Sequence, residues 1–574
     1  MERLPELLAP CGSPEALHAA LRGGADAVYL GGTLLNARMK ARNFDDAAMR
    51  DAITACHRAG VRLYVTMNTL VYDREMDTAL RYAARLYEEG ADALIVADLG
   101  FARLLREYLP DMPLHASTQA GVHNTEAVRY LAQAGFCRAV CARELCGDDI
   151  AHMVRESPIG IEMFVHGAMC VCHSGQCLFS SMVGGRSGNR GECAQPCRMM
   201  YNRGEYPLSL KDMCLAGHIR EICASGVESL KIEGRMKSPD YVYAVVSAYR
   251  RLLDEGRDAT DGEIRAMASV FSRGGFSDGY YTGKISPAML GVRSDADIAA
   301  TRRTGNAAMK AVRRDLPPVT VERVPPTLPN KAEWTAHFRS AADSAEKAPA
   351  APTRSARFER ASQIAGADFF DVIYLPLRRF AAGRANGVVL DPVLTDRELS
   401  EARRLLCRAA EDGARHVLVS NIGQLSLVEG LPVTVHGDFR LNIVNQLSAS
   451  LYPFADVMLS PEMTLPQIRD IRTKKSVIVY GRIPLMVTEK PIGANQLRDR
   501  TRAVFPILHG QDGERDRVFN SVITYMDDRR DKLNGLGISD FHYLFSVESR
   551  EEAEMAVERI RRGIAPKDPV RRIK

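Results

Sequence analysis

The chain has 574 residues, is 46% hydrophobic and 26% charged, and carries a formal net charge of +5. This composition is that of an ordinary soluble protein, and the length is sufficient for about two to four domains. Charges interrupt the apolar runs well short of the roughly 18 residues that a membrane span needs, which argues against a membrane partner. The N-terminus lacks the basic and apolar regions of a signal peptide, so we expect a cytoplasmic protein. The small positive charge permits contact with RNA but does not by itself indicate it.

The first 235 residues alternate short apolar runs with amphipathic segments, a pattern that predicts parallel βαβ units. Eight runs predict eight strands: ELLAPC (6–11), AVYLGG (27–32), RLYVTMN (62–68), ALIVADLG (93–100), PLHASTQ (113–119), RAVCARE (138–144), IEMFVHG (161–167) and SLKIEGR (229–235). The phrase GADA recurs at 24–27 and 90–93, as a repeated unit would give. Eight units predict a TIM-like (β/α)8 barrel over residues 1–285. A doubly wound open sheet would have fewer strands and a glycine-rich first turn.

Barrels of this type carry their chemistry at the carboxyl ends of the strands. The predicted strand ends carry ten polar residues, namely Asn68, Asp98, His115, Thr118, Gln119, Arg143, Glu144, His166, Glu233 and Arg235. Six of them are our catalytic candidates: His115, Arg143, Glu144, His166, Glu233 and Arg235. Imidazole and carboxylate groups can transfer protons near neutral pH, and guanidinium groups can bind phosphate or a dicarboxylate. One polar strand end often only contacts solvent, but ten on one rim favour an active site.

Five of the 13 cysteines lie in one stretch, HGAMCVCHSGQCLFSSMVGGRSGNRGECAQPCR (166–198), which is inserted after the predicted seventh strand. Four of them follow the pattern C-x6-C-x15-C-x3-C: Cys170, Cys177, Cys193 and Cys197. In a reducing compartment such thiols hold metal more often than they form disulfides. Four thiolates can bind zinc or an iron–sulfur cluster; only the last pair has zinc-like spacing, so the cluster is slightly favoured. Cys172 is predicted to pack elsewhere.

The same stretch places three arginines, Arg186, Arg190 and Arg198, among four glycines. Glycine lets a backbone approach a ligand closely, and a guanidinium group can fork onto phosphate or carboxylate. We therefore predict a cofactor- or anion-binding role for the three arginines. A surface loop with solvated charges is the alternative.

Residues 286–360 are predicted to be a connector, because SAADSAEKAPAAPTRSAR is rich in Ala, Ser and Pro. The connector also contains a basic group that is either a solvated face or a surface that steers RNA: Arg302, Arg303, Lys310, Arg313 and Arg314.

Residues 361–574 repeat the strand–helix rhythm and are predicted to be a second α/β barrel-like domain. Its motifs align in order with those of the first half, matching His115 to His436, Asn124 to Asn445 and Glu144 to Glu462. The second half thus looks like a degenerate duplicate, in which Cys407 is the sole cysteine. We expect it to be a structural or RNA-docking partner rather than a second active site.

The first half resembles the collagenase-like peptidase family U32. The resemblance rests on ELLAPCGSPEAL, AVYLGG, ARNF, YVTMNTLV, LPLHASTQ, ARELC, FVHGAMCVCHSGQCLFSS, GRSGNRGECAQPCR, LSLKDMC, SLKIEGRMKSPDYV and FSRGGFSDGYYTGK, all in family order. It implies that the four cysteines bind a 4Fe–4S cluster. It also implies oxygen-independent C5 hydroxylation of a pyrimidine in ribosomal RNA or tRNA, with prephenate as the candidate oxygen source; another branch acts on ubiquinone precursors.

Two other functions remain as alternatives. The first is the peptidase activity in the family name, although the chain lacks the H-E-x-x-H and G-x-S-x-G motifs and no Cys–His pair stands out. The second is a non-catalytic RNA-binding scaffold stabilised by a metal. The fused second half and the wording GECAQPCR favour the ribosomal-RNA branch of the family.

Overall fold

A computed structural model of the chain describes residues 4–304, 311–312, 314, 316–330, 333–334, 351–511 and 513–574. Two closed barrels of eight parallel strands, each surrounded by helices, follow one another along the chain. The predicted TIM-like barrel with a second barrel after it is therefore confirmed. No helix among the described residues is both long enough and apolar enough to span a bilayer.

All eight strands predicted for the first half form. The strands of this half are β1 (Glu6–Pro10), β2 (Ala27–Leu30), β3 (Arg62–Met67), β4 (Ala93–Val96), β5 (Leu114–Ala116), β6 (Arg138–Val140), β7 (Gly160–Gly167), β8 (Asp212–Cys214), β9 (Ser229–Ile232) and β10 (Phe276–Ser277). Strands β1 to β7 pair in sequence order, and β9 closes the barrel between β7 and β1. The short strand β8 runs antiparallel to the end of β7 and pairs in turn with β10.

The repeated GADA phrase marks the turn from helix to strand. Gly24 and Gly90 have φ values of 86° and 92°, a left-handed conformation that favours glycine and ends the preceding helix. Two residues later, Asp26 accepts a 2.8 Å hydrogen bond from the Leu7 amide, and Asp92 accepts one of 2.7 Å from the Leu63 amide. The helices of this half are Pro14–Gly23, Asp46–Arg58, Met76–Glu88, Leu99–Tyr108, Thr125–Gln133, Gly147–Glu156, Phe179–Gly184, Ile219–Ala224, Pro239–Glu255, Asp261–Val270 and Asp295–Thr304.

The second half repeats this topology. Its strands are β11 (Thr353–Phe358), β12 (Val372–Pro376), β13 (Gly387–Val389), β14 (His416–Val419), β15 (Thr434–Gly437), β16 (Val457–Met458), β17 (Lys475–Gly481), β18 (Pro484–Thr488), β19 (Gln496–Arg498), β20 (Val504–Leu508), β21 (Asp516–Phe519), β22 (Ile523–Tyr525), β23 (Asp540–Phe545) and β24 (Val570–Arg571). Strands β11 to β17 and β23 close the barrel. Strand β22 runs antiparallel to the end of β17 and pairs with β24, as β8 and β10 do in the first barrel.

The insertion after the seventh strand differs between the two halves. The second barrel carries a four-stranded antiparallel sheet there, β18-β21-β20-β19, where the first barrel carries the cysteines. The helices of the second half are Asp396–Glu411, Leu425–Val428, Gln446–Ala449, Leu465–Asp470, Arg530–Asn534 and Arg550–Arg561.

The residues matched between the halves occupy equivalent positions. His115 lies on β5 and His436 on β15, the fifth strand of each barrel. Asn124 and Asn445 each cap the helix that follows that strand. Common topology and equivalent positions are what a duplication predicts.

The predicted connector, residues 286–360, extends too far towards the C-terminus, because the second barrel begins at Thr353. Residues 353–358, placed in the connector from their composition, are the first strand of the second barrel and pair with β23 along their whole length. The sequence TRSARF looks like a linker because it has few apolar residues. Its polar groups are buried and paired: Ser355 hydrogen bonds at 2.7 Å to His542, which is distant in sequence, and Arg357 lies 3.3 Å from Glu359, two residues further along the chain.

The described part of the connector packs along the surface of the first barrel. The Val312 amide donates to the Arg22 carbonyl at 2.8 Å, and the Val319 amide donates to the His57 carbonyl at 3.0 Å. Arg314 pairs with Asp26 at 2.6 Å, so this guanidinium stabilises the barrel. The side chains of Arg302, Arg303, Lys310 and Arg313 lie outside the described residues.

The two barrels face each other through the loops at the carboxyl ends of their strands. The Asn445 side-chain amide donates to the Val71 carbonyl and to Asp98 Oδ2, both at 2.8 Å. The equivalent Asn124 amide donates to the Leu394 carbonyl at 2.8 Å. Because each residue reaches the loop after the third strand of the other barrel, the contact has approximate two-fold symmetry. Buried apolar residues of both barrels form one continuous core.

Replacing Asn445 by Ala removes a helix cap and two buried hydrogen bonds. We expect Asn445→Ala to lower the free energy of unfolding by about 2–4 kcal/mol, and Asn124→Ala to have a similar effect. The control Asn534→Ala, at an exposed helix end, should change it by less than about 0.5 kcal/mol. Chemical denaturation followed by circular dichroism makes the comparison. Equal midpoints for Asn445→Ala and Asn534→Ala would contradict the proposed importance of the interface.

Candidate functional site

The cysteine-rich insertion lies between the two barrels. The His173 amide donates to the Val487 carbonyl and the Leu178 amide to the Leu485 carbonyl, both at 2.8 Å, so the insertion runs along β18. Arg440 of the second barrel donates to the Gln176 carbonyl at 2.8 Å. The insertion is therefore fixed by the second barrel as well as by the first.

The four predicted cysteine ligands lie within electrostatic range of one another. Burial, together with the thiolates of Cys170, Cys177 and Cys193, raises the pKa of Cys197 to about 12. Cys170 and Cys193 expose surface to solvent, yet burial raises their pKa values as well. These two thiols are therefore accessible but partly enclosed by protein atoms, and we call the surface around them the cysteine recess.

Cys172 has a different environment from the four ligands. It is 2% exposed, forms an antiparallel bridge with Thr488, and its sulfur accepts a 3.4 Å hydrogen bond from the Val487 amide. This agrees with the predicted packing role. Its thiol also hydrogen bonds to Cys177, which, with burial, raises the pKa of Cys177 well above the usual value.

Two arginines and a glutamate surround Cys170. Arg38 donates to Glu233 Oε1 from Nη2 at 2.9 Å and from Nε at 3.3 Å. Arg143 donates to the Ala168 carbonyl at 3.0 Å, and its guanidinium lies 3.9 Å from the centre of the Phe164 ring. Burial raises the pKa of Cys170, and the charges of Arg143 and Arg38 oppose that effect. The two guanidinium groups thus favour the thiolate that a metal centre requires.

Glu233 is held as a carboxylate at the mouth of the first barrel. Burial acts to raise its pKa, but Arg38 and Arg143 outweigh burial and lower the pKa to about 2. The Tyr29 hydroxyl lies 3.2 Å from Glu233 Oε2 and donates to the Ile232 carbonyl at 2.9 Å. Glu233 therefore positions the guanidinium of Arg38 next to the thiols.

Arg235 is a buried cation whose hydrogen-bond partners are neutral. It donates to Thr66 Oγ1 at 2.9 Å, to Asn36 Oδ1 at 2.8 Å and to Asn43 Oδ1 at 3.0 Å. Burial lowers its pKa to about 10, so the group stays charged at neutral pH. Neutral oxygens hold this charge in place, and the nearby Glu233 carboxylate acts against burial by raising the pKa of Arg235.

Lys237 and His166 lie in an aromatic environment at the mouth of the first barrel. The Lys237 ammonium lies over the Phe271 ring, and burial lowers its pKa to about 7. The His166 ring packs edge-on against Phe276, with centroids 5.0 Å apart. Burial and the charge of Lys237 lower the pKa of His166 to about 3, so its imidazole is neutral. His166 Nε2 has no hydrogen-bond partner among the described residues.

Two of the catalytic candidates lie apart from the thiol group. His115 faces the interior of the barrel, where its ring lies edge-on to Tyr64 at 4.7 Å. Burial, Arg138 and Lys231 lower the pKa of His115 well below its usual value. Glu144 is buried at the contact with the second barrel, and its Oε2 is 3.9 Å from His173 Nδ1. The alternation of side chains along β5 directs His115 to the barrel interior, and the path of the loop after β6 places Glu144 at the contact with the second barrel. Neither position can be read from the spacing of the motifs.

The three arginines of the insertion bind protein groups. Arg190 forms a bidentate pair with Glu75, both distances being 2.7 Å. Arg198 donates to the Met169 carbonyl at 2.7 Å and to Ser209 Oγ at 3.1 Å, which fixes the loop next to Cys197. Arg186 donates to the Glu192 carbonyl at 3.1 Å. Their partners indicate loop stabilisation, and their predicted anion-binding role stays a prediction.

Arg38, Tyr29 and Lys237 were missing from the sequence-based candidates. Lys237 belongs to the motif SLKIEGRMKSPDYV, and Arg38 lies three residues before ARNF, so family motifs pointed to both segments. Their contacts with Glu233, Cys170 and Phe271 arise only in the folded barrel.

At the mouth of the second barrel, buried arginines pair with a buried glutamate. Arg517 forms a bidentate pair with Glu359 at 2.8 and 2.7 Å, and both side chains are buried. Arg357 lies 3.3 Å from the same glutamate. These two cations are therefore neutralised within the protein, and the expectation that this half is not a second active site stays a prediction.

Comparison with known proteins finds similarity to one family. The sequence profile of peptidase family U32 matches residues 12–289. The 23S rRNA 5-hydroxycytidine synthase of Escherichia coli is 39% identical, over 43% of this chain and 39% of that protein. The tRNA hydroxylation protein P1 of Bacillus subtilis is 37% identical, over 44% of this chain and 63% of that protein. A collagenase of Porphyromonas gingivalis is 34% identical, over 49% of this chain and 74% of that protein. The chain thus spans less than two thirds of the first two relatives.

We expect Lys237 to titrate near neutral pH, because burial lowers its pKa to about 7. Below that pH the protonated amine resists acylation, and above it the neutral amine reacts. Pulse acylation over a pH series, read by peptide mass spectrometry, gives the midpoint. Asp212→Asn should move the midpoint to lower pH, because the Asp212 carboxylate raises the pKa of Lys237. A wild-type midpoint near the ordinary lysine value of about 10.4 would contradict this environment.

Proposed function

The chain belongs to peptidase family U32, and we propose that it is an iron–sulfur RNA-modifying enzyme. The proposed reaction is oxygen-independent hydroxylation of C5 of a pyrimidine in ribosomal RNA or tRNA. The observation that carries the proposal is the grouping of four cysteines with Arg38, Arg143 and Glu233 at the mouth of the first barrel. Relatives that share this half are named as an rRNA 5-hydroxycytidine synthase and a tRNA hydroxylation protein.

The thiol arrangement suits a cluster better than a single zinc ion. Thiolates on one tetrahedral zinc lie about 3.8 Å apart, given Zn–S bonds of about 2.3 Å. Among the described residues, no three cysteine sulfurs lie within 4.8 Å of one another. A 4Fe–4S cluster attaches each cysteine to a different iron and so separates the sulfurs more widely. Cys170, Cys177, Cys193 and Cys197 would hold it, and when bound it supplies one-electron transfer.

The other residues at the mouth have separate tasks. Arg235, held by neutral oxygens, and Arg143, whose Nε has no partner among the described residues, provide positive charge for an anionic group. That group is the RNA phosphate or a dicarboxylate oxygen donor such as prephenate. Glu233 keeps Arg38 against the thiols. Lys237, with its pKa near 7, can accept and return a proton near the substrate.

Exposed apolar side chains in the segments that form the recess would suit an approaching nucleobase. Exposed apolar side chains are clustered in the three segments that carry Arg38, the cysteines and Arg235; they are Leu34, Met39, Val183, Met199, Met200 and Met236. Exposed apolar groups around a charged recess are typical of a binding site. A base must leave its stack to reach such a recess, and apolar side chains support the unstacked face.

Peptidase activity is the second candidate, because a relative 34% identical to this chain is named a collagenase. A cysteine peptidase needs a thiol activated by an imidazole. Within the described part of the chain, no hydrogen bond joins a cysteine thiol to a histidine, and burial raises the pKa of Cys170, Cys193 and Cys197. These features favour metal ligation over nucleophilic catalysis.

Protein purified without oxygen should contain about four iron and four acid-labile sulfide atoms per chain. Replacing Cys170, Cys177, Cys193 or Cys197 by Ala should remove most of both, since each thiol anchors one iron. Cys56→Ala, a buried thiol in the helix Asp46–Arg58, is the matched control and should retain the metal. Retention of full iron content by Cys193→Ala, or stoichiometric zinc in place of iron, would refute the cluster.

A strain lacking the gene should lose a 5-hydroxypyrimidine from ribosomal RNA or tRNA, measured by nucleoside mass spectrometry. The wild-type gene should restore the nucleoside. Arg143→Met should reduce the rate of its formation by about ten- to a hundred-fold, because one charge-assisted contact contributes about 1.5–3 kcal/mol. The control Arg408→Met changes an exposed arginine of the second half. An unchanged nucleoside profile in the deletion strain would overturn the RNA assignment, and collagen cleavage by metal-free protein would support a peptidase.

A further inference from the structure

A second group of potential metal ligands lies at the contact between the barrels. One nitrogen from each of His123 and His173 and one oxygen from Glu144 all lie within 4.8 Å of one another. The three residues are buried, with exposed fractions of 1%, 2% and 6% for His123, His173 and Glu144. None of the three belongs to the cysteine group.

The fold brings the three side chains together from separate loops. His123 follows β5 and Glu144 follows β6, and these two strands are neighbours in the barrel. His173 belongs to the insertion, where its amide donates to the Val487 carbonyl of β18 at 2.8 Å. The group therefore exists only when both barrels and the insertion are in place.

The hydrogen bonds of His173 leave one ring nitrogen directed at the group. Its Nε2 lies 3.1 Å from Glu489 Oε2, while its Nδ1 is 3.9 Å from Glu144 Oε2. Arg515 contacts the same Glu489 oxygen, which acts as an acceptor, so Nε2 of His173 is the nitrogen that faces Glu489 and Nδ1 is the nitrogen that faces Glu144. Nδ1 has no hydrogen-bond partner among the described residues.

Glu489 is itself held in place by the second barrel. Arg515 Nε donates to Glu489 Oε2 at 2.7 Å, and the Arg515 guanidinium also pairs with Glu398 at 2.9 Å. A carboxylate that accepts the outer N–H of a histidine fixes the ring and its tautomer in most protein metal sites. Here the second barrel supplies that carboxylate to a histidine of the first-barrel insertion.

His123 has no satisfied ring nitrogen. Neither its Nδ1 nor its Nε2 has a hydrogen-bond partner within the described structure, and the ring lies edge-on to His173 with centroids 5.3 Å apart. Burial of an imidazole without partners is unfavourable, and a bound ion would remove that cost. Because both nitrogens of this buried ring lack a partner, one of them is free to act as a metal ligand.

We propose that His123, Glu144 and His173 bind one divalent transition-metal ion, such as Zn²⁺ or Fe²⁺, separately from the four cysteines. A ligand set of two imidazoles and one carboxylate binds Zn²⁺ and Fe²⁺ in preference to Mg²⁺ and Ca²⁺. Ligand atoms about 2.1 Å from a tetrahedral ion are about 3.4 Å apart, so the 3.9 Å between His173 and Glu144 needs only a small side-chain rotation. The ion joins the two barrels beside the cysteine recess. This inference does not depend on the RNA reaction.

The test is a cobalt titration of the full-length protein, purified without oxygen, with its cysteine site loaded. Co²⁺ bound by nitrogen and oxygen gives visible absorption bands without the thiolate charge-transfer band that cobalt on cysteine would give. We expect one equivalent per chain with the first signature, displaced by Zn²⁺ and unaffected by Mg²⁺. His123→Gln and Glu144→Gln should abolish stoichiometric binding. Glu489→Gln should weaken it by about 10- to 100-fold.

The matched control is His542→Gln, because His542 is equally buried in the second barrel and lies outside the group. It should retain the full equivalent, as measured by the same titration and by elemental analysis. Circular dichroism and gel filtration identify any variant that fails to fold, and the wild-type spectrum decides the question without the variants. A wild-type titration that shows only the thiolate band, or equal binding by His123→Gln and wild type, would overturn the proposal.

Discussion

Asn124 and Asn445 each cap a helix with the side-chain oxygen and donate across the interface with the side-chain nitrogen. A buried amide that lost these partners would leave unsatisfied polar groups, so the pair allows one relative placement of the barrels. That placement sets the mouth of the first barrel against the second half. The cysteine insertion then has β18 beside it and takes its course from main-chain hydrogen bonds to that strand.

The two mouths differ in how their buried charges are balanced. In the second barrel, Arg517 and Glu359 neutralise each other in a bidentate pair. In the first barrel, Glu233 pairs with Arg38, while Arg235 is held by neutral oxygens. A buried cation without a carboxylate partner raises the affinity of the site for an anion. This arrangement supports the proposal that the mouth of the first barrel takes an anionic ligand.

A short part of the insertion contributes residues both to the cysteine group and to the proposed metal site of His123, Glu144 and His173. Cys170 faces the recess with Arg38 and Arg143, Cys172 packs against β18, and His173 turns towards Glu144 and Glu489. A bend at Val171 separates Cys170 from the part of the insertion that bridges to Thr488, and the successive residues Cys172 and His173 then point in opposite directions. Movement of the second barrel would therefore affect both groups of ligands together.

The sequence alone determined the strands of the first barrel, the topology of the duplicate and the four clustered cysteines, because hydrophobic periodicity and ligand spacing are local properties of the chain. It also matched Asn124 with Asn445. It missed the first strand of the second barrel, whose polar residue Ser355 is satisfied by His542, a partner that is remote in sequence. Only the tertiary structure showed that His115 faces the barrel interior, that Arg190 binds Glu75 and that Arg38 and Lys237 reach the mouth. The physical reason is that a polar side chain acquires its pKa, its partners and its direction from residues that are remote in sequence.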